Sequence, residues 1–282
     1  MNHTDSPARK RRRFRLGRWL RSGLILYGLL CLGCAALQRK MIYHPPHLTP
    51  AQNEAYARQA GLERWRNAEG QPIGFKRPAP LQPAAGSVLV VYGNGGCAVG
   101  CSRYADAVQQ AAAWDVYILE YPGYADRPGS PSEKSLFAAA DEAIRHVPTN
   151  APLYLIGESL GTGVACYLAG TYPDRIAGMI LFAPYNCLTD VAQYHMPVLP
   201  VRWLLADTFP AADYLNHFHG RVGILVAGQD RVVPEKFGRR LYASYAGPKQ
   251  LWEFPPDNHW SVTERSPEFW RQAVTFIQTP AN

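Results

Sequence analysis

The chain has 282 residues, 47% of them hydrophobic and 18% charged, which suits one large α/β domain or two small ones with a sizeable core. Its net charge of +7 belongs to the N-terminus alone, where eight basic residues from Arg9 to Arg21 face a single acid, Asp5. The remainder is neutral, which excludes a nucleic-acid-binding body.

Residues 22–38, SGLILYGLLCLGCAALQ, carry no charge and lie between Arg21 and the pair Arg39-Lys40. A membrane-spanning helix needs roughly 20 apolar residues, with about 17 as the lower limit. Trp19 and Tyr43 are placed as interface anchors. A signal anchor, a cleaved signal peptide and a lipoprotein signal all fit. CLGC ends at Cys34 like a lipobox, with Cys31 where leucine is usual, and RRRF at residues 11–14 resembles a twin-arginine signal. Each puts the basic tail in the cytoplasm and the body outside it. The expected division is a basic cytoplasmic tail (1–21), the membrane segment (22–38), a linker (39–60) and a body (61–282).

Within the body, residues 62–77 read as a hairpin turning at NAEG. SVLVVY (87–92) is a continuous apolar strand that ends in GNGG. Residues 102–113 read as a helix, 115–121 as a strand and 130–147 as a helix, with Ser132 followed three residues later by Ser135. PLYLIG (152–157) is a strand, 160–173 a helix, and 176–184, 222–228 and 249–255 are strands. Residues 269–277 close the chain as a helix. Continuous apolar strands alternating with helices predict an α/β fold with a mostly parallel sheet, helices on both faces. The stretch at about 186–219 breaks that rhythm and is expected to be a helical lid over the sheet.

Cys97, Cys101, Cys166 and Cys187 lie in the body. An exported body permits disulfides among them, and free thiols are the plain alternative. Cys97-x-x-x-Cys101 lacks a second ligand pair, so no zinc site is expected.

The chemistry centres on GESLG, residues 157–161. A strand precedes it and a helix follows, the setting of a nucleophile elbow, in which a serine occupies a tight, strained turn at a helix N-terminus. Gly157 and Gly161 flank Ser159 where larger side chains would collide with neighbouring elements. A serine nucleophile needs a base, and the base an orienting acid, in the chain order serine, acid, histidine. Asp230 follows a strand, 71 residues after Ser159. His259 follows the last strand, and of the eight histidines it alone has both the order and the location. An oxyanion hole needs two backbone donors: the Leu160 N–H, and one from the loop YGNGG, for which Asn94 is the choice. Gly93, Gly95 and Gly96 are expected to let that loop turn freely. A dinucleotide cradle fails there, because the required third glycine is Ala98.

VLVVYGNGG, LEYPGYADRPGSPSEKSL, LIGESLGTGVA, FAPYNCL and VAGQDRVVP occur in order, and together they resemble the α/β-hydrolases, in the branch of abhydrolase-domain and serine-aminopeptidase-like proteins. The resemblance covers about residues 62–277. It implies Ser159, Asp230 and His259 as a catalytic triad, the same three that spacing selects. Tyr92 departs from the branch, which usually has histidine before the glycine, and this changes the loop's packing. The expectation is a membrane-tethered serine hydrolase of an acyl ester, carboxylester or lysophospholipid-like, needing no metal or cofactor. An acyltransferase or peptidase on the same fold, and a non-catalytic binding module, are the alternatives. The expected partners are a small acyl substrate and the membrane, not nucleic acid. The apolar run at residues 195–209 favours a lipid-like chain over a charged peptide, or serves as lid core.

Overall fold

The structure, a computed structural model, describes residues 7–280, with side chains from Gly17 onward. Of the expected basic tail, residues 1–6 and the side chains up to Leu16 lie outside the described residues. Helix α1 (Pro7–Ile42) has 36 residues and runs well past the uncharged segment on both sides. Its portion Gly17–Ile42 is long and apolar enough to cross a membrane, and none of that window is buried in the protein.

The expected linker contains a helix. In α2 (Pro50–Gln59), Thr49 Oγ1 accepts from the Gln52 N–H at 3.3 Å, and Gln52 Oε1 accepts from the Thr49 N–H at 2.9 Å. That capping box and Pro50 start the helix. Asn53 and Ala57 are fully buried, and Asn53 Nδ2 donates to Asp126 at 2.6 Å. Residues 50–59 are therefore part of the domain. The buried residues of α2 are that one amide and one methyl group, too little for a hydrophobic pattern, and Glu54 adds an ion pair to Arg64 at 2.7 Å.

β1 (Glu63–Arg66) and β2 (Pro72–Arg77) form the hairpin, with Glu63 opposite Lys76. β3 (Gly86–Val91), β4 (Trp114–Leu119), β5 (Leu153–Glu158), β6 (Ile176–Phe182), β7 (Arg221–Ala227) and β8 (Lys249–Phe254) complete one eight-stranded sheet of order β1-β2-β4-β3-β5-β6-β7-β8. β2 meets β4 antiparallel, and all pairings from β4 to β8 are parallel. All six residues of β3 are buried, as a strand covered on both faces requires. The chain moves outward from β3 to β4 and then returns to β5 on the other side of β3. That reversal is a topological switch point, where open α/β sheets form a crevice beyond their strand ends.

Helices α3 (Ser102–Ala111) and α10 (Pro267–Gln278) cover one face, where Trp270 packs on Tyr104 and Phe182 with ring centroids 6.0 and 5.5 Å apart. On the other face are α4 (Glu133–His146) and α5 (Gly161–Thr171), whose Phe137 and Tyr167 rings stack at 4.0 Å. Ser132 caps α4 in a box with Ser135. The insertion between β6 and β7 holds α6 (Leu188–His195), α7 (Val201–Leu204) and α8 (Ala211–Leu215). Only its first half stands over the crevice. From Phe209 onward it is core, with Phe209, Ala211, Leu215 and Phe218 all buried. Helix α9 (Glu235–Ser244), unforeseen in the charged stretch EKFGRRLYAS, buries the stripe Phe237, Gly238 and Leu241.

Candidate active site

Ser159 stands between β5 and α5 with φ of +50°. A non-glycine residue in that region carries about 1–3 kcal/mol of strain and is held there by its surroundings. The Ser159 N–H donates to the Phe182 carbonyl at 2.9 Å, across to β6. A Cβ on Gly157 would come within 2.9 Å of Leu181 Cδ2 and 3.0 Å of Ala165 Cβ. One on Gly161 would run into the Val91 carbonyl at the end of β3. The two glycines thus let α5 start directly against the sheet, which forces the turn at Ser159.

Asp230 and His259 leave the same sheet edge, after β7 and β8. Asp230 Oδ1 accepts the N–H groups of Val232 and Val233, each at 2.8 Å. Its Oδ2 lies 2.6 Å from His259 Nδ1. His259 Nε2 lies 3.0 Å from Ser159 Oγ. In the tautomer with the proton on Nδ1, the ring donates to Asp230 and accepts from the serine hydroxyl. The Asp230 side chain is 1% exposed and that of His259 10%, so the row is shielded from water on its acid side. The Gln229 N–H donates to the Asp257 carbonyl at 2.9 Å, tying the two loops together. Asn258 Oδ1 accepts from the N–H groups of Trp260 and Ser261, which shapes the turn carrying His259.

Asn94 and Leu160 border the same pocket as Ser159. Neither backbone N–H donates to another group among the described residues, so both are free for an incoming oxygen. The loop glycines have a different role from the one expected. None of Gly93, Gly95 and Gly96 adopts a positive φ. Gly93 and Gly96 provide room instead, since a Cβ would lie 3.3 Å from Ser159 Cβ and 3.0 Å from the Tyr92 ring, while Gly95 faces open space.

Beneath that loop lies a buried pair that sequence reading missed. The Tyr92 hydroxyl donates to Glu120 Oε1, and the Ala98 N–H donates to the same carboxyl. Burial pushes the Glu120 carboxyl up to about 7, against the opposing pull of those two donors. The departure at Tyr92 is thus matched by an acid on the adjacent strand end, and the residue type at position 120 was the only available signal. The cysteines are free thiols. Burial raises the Cys97, Cys101 and Cys166 thiols, which leaves them poor nucleophiles. Among the described residues, no three His, Cys, Asp or Glu side chains gather as a metal site.

A cavity of about 420 Å³ opens over Ser159. Leu188, Val191, Met196, Leu199 and Val201 line its lid side, with His195 and Val232. Cys34, Ala35, Gln38, Met41 and Ile42 of α1 form another wall, which reading α1 as a plain anchor did not foresee. The arrangement can take a proton from a hydroxyl, hold a developing oxyanion and seat an apolar group.

A profile of the alpha/beta hydrolase fold family matches residues 86–218. An uncharacterised protein of Mycobacterium tuberculosis is 31% identical over 229 residues, covering 79% of this chain and 80% of that protein. The lysophosphatidylserine lipase ABHD12 of Danio rerio is 30% identical over 210 residues, 66% of this chain and 54% of the relative. Among solved structures, an esterase of Pyrococcus furiosus has a TM-score of 0.61 at 13% identity, covering 85% of this chain and 100% of the other. The matched span of the profile takes in the loop after β3 and the turn that holds Ser159. This chain belongs to the α/β-hydrolase superfamily and is an enzyme of that fold.

Proposed function

We propose that the protein is a membrane-tethered serine hydrolase of acyl esters, with Ser159 as nucleophile, His259 as base and Asp230 as its orienting acid. The observation that carries this reading is the His259 ring bridging Asp230 at 2.6 Å and Ser159 at 3.0 Å. Ser159 Oγ attacks the acyl carbonyl carbon as its proton passes to His259 Nε2. Asp230 holds the ring's orientation and stabilises the imidazolium. The Asn94 and Leu160 N–H groups receive the oxyanion, and each such donor is worth about 10²–10³ in rate. The ester C–O bond then breaks, and His259 returns the proton to the leaving alcohol. Water attacks the acyl-enzyme, giving its proton to His259. The bond between Ser159 Oγ and the acyl carbon then breaks, releasing the acid, as His259 passes that proton back to Ser159 Oγ and so restores the hydroxyl.

The apolar cavity supports a lipid-like acyl chain, and a lysophospholipid-like ester is the proposed class. The lipase named among the relatives is consistent with it. Helix α1 is the proposed single span, with the basic residues on the cytoplasmic side and the catalytic body on the other. Labelling with a fluorophosphonate probe, followed by p-nitrophenyl esters of increasing chain length, tests the reading. Labelling of wild type but not Ser159→Ala is expected. A folded wild-type protein that neither labels nor turns over any ester would refute it.

A further inference from the structure

Helix α1 lies along the lid on one stripe. Gly28, Cys31, Cys34, Ala35, Gln38 and Ile42 are half-buried at i, i+3 and i+4 spacing, while Leu26, Leu29 and Leu37 on other stripes are exposed. Hydrogen bonds fasten the seam. Gln38 Nε2 donates to the Leu204 carbonyl at 3.2 Å and its Oε1 accepts from the Ala206 N–H at 2.7 Å. Further along, the Tyr27 hydroxyl donates to the Val198 carbonyl at 2.7 Å.

Those two attachment points set a depth. Tyr27 and Gln38 are eleven residues apart, about 16 Å of helix at about 1.5 Å per residue. The hydrocarbon core of a bilayer is about 30 Å thick. If residues 22–38 cross it with Gln38 at the body-side boundary, the lid edge at Val198 reaches about the middle of the core when α1 is upright and lies inside the leaflet on the body's side when α1 tilts. The lid is suited to that place. Val198 is 74% exposed and Trp203 is 88% exposed, on the segment that adjoins α1. The Tyr27 and Gln38 side chains have partners as above, as a dry environment demands, and Arg202, still largely exposed, reaches Asp190 at 3.3 Å.

We propose that α1 and the lid are seated together in the bilayer, so that α1 is a wall of the acyl pocket and the substrate, a single-chain acyl amphiphile, enters from the leaflet rather than from water. This rests on the reading of Ser159 as nucleophile and of α1 as a span. It adds that α1 takes part in substrate selection. Ala35 lines that wall of the cavity, so a larger side chain there should shorten the chains accepted.

The test uses the full chain reconstituted in phosphatidylcholine vesicles brominated on their acyl chains. Tryptophan fluorescence of wild type is compared with that of Trp203→Phe. The Trp203 component should be quenched by bromolipid and spared by aqueous iodide; the reverse overturns the proposal. In a second arm, Trp203→Glu should slow hydrolysis of a long-chain lysophospholipid in vesicles by about tenfold. Its fluorophosphonate labelling in detergent should match wild type. Ala35→Phe should move the chain-length optimum downward. An unmoved optimum in a folded variant, or vesicle hydrolysis unaffected by Trp203→Glu, overturns the proposal. Wild-type protein that is quenched as expected but never labelled would instead sink the nucleophile assignment alone.

Discussion

Two parts of this molecule meet at the cavity and are held in different ways. The sheet edge that carries Ser159, Asp230 and His259 is fixed by backbone approach, since α5 lies so close that Gly157 and Gly161 leave no room for a methyl group. The α1 and lid side is fixed by a thin seam, with Tyr27 and Gln38 hydrogen-bonded to the lid, and Arg39 and Tyr43 both bound to the buried Asp207 at 3.2 and 3.0 Å. A strained serine needs the first kind of support, because every neighbour must resist its relaxation. A wall that admits a flexible chain, as proposed for α1 and the lid, would need only the second.

The largest expected effect breaks the rigid side chemically. Ser159→Ala or His259→Ala should each reduce turnover by about 10⁶, and the double variant should be hardly worse, because the residues act as one unit. Steady-state kinetics with a p-nitrophenyl ester reads this, and multiplying losses would mean a wrong assignment. Asp230→Asn should cost about 10⁴ with the fold retained, as it presents the wrong ring tautomer.

Next come two effects on stability. Burial makes the Glu120 carboxyl easier to protonate in the folded state, at about 7 against 4.5 in the unfolded chain. Its contribution is therefore complete below pH 4.5 and is lost as pH rises to about 7. The loss should approach about 3 kcal/mol at about 1.4 kcal/mol per unit. Urea midpoints between pH 5 and 8 should fall for wild type and much less for Glu120→Gln; equal slopes would rule Glu120 out. Gly161→Ala should cost about 1–3 kcal/mol by overpacking and lower turnover as Ser159 shifts, measured by melting temperature and kinetics. The smallest effect lies on the seam. Tyr27→Phe removes one hydrogen bond, worth about 1 kcal/mol, and should loosen the lid without altering kcat for a short soluble ester. A large kcat loss there would mean that the two sides are not separable.

The contrast also explains what sequence reading could reach. GESLG, Asp230 and His259 were legible because an elbow imposes glycines at set positions and the strands around it are unbroken apolar runs. The hairpin and the capping of α4 were legible for similar local reasons. Helix α2 was not, although Thr49 and Gln52 announce its start, because Asn53 and Ala57 give no apolar stripe. Helix α9 hid its Phe237 and Leu241 among charges. The α1 wall hid in the opposite way. In a segment that is apolar all round, the half-buried stripe through Cys34 and Gln38 has no polar residues to outline it. Glu120 reads as one more residue at a strand end until Tyr92 is placed against it.

Asn94 carries a consequence for dividing this protein. Its carbonyl accepts from the His44 N–H at 3.2 Å, and its side-chain amide donates to the Ile42 carbonyl at 2.8 Å, at the end of α1. The loop that holds Asn94 is thus braced by residues that precede the first strand by about twenty positions. The smallest portable unit is therefore expected to begin at Ile42, not at Leu62. A body transplanted onto a foreign anchor from Leu62 should keep its serine row and still turn over p-nitrophenyl acetate more slowly than one that brings Ile42 to His44 with it.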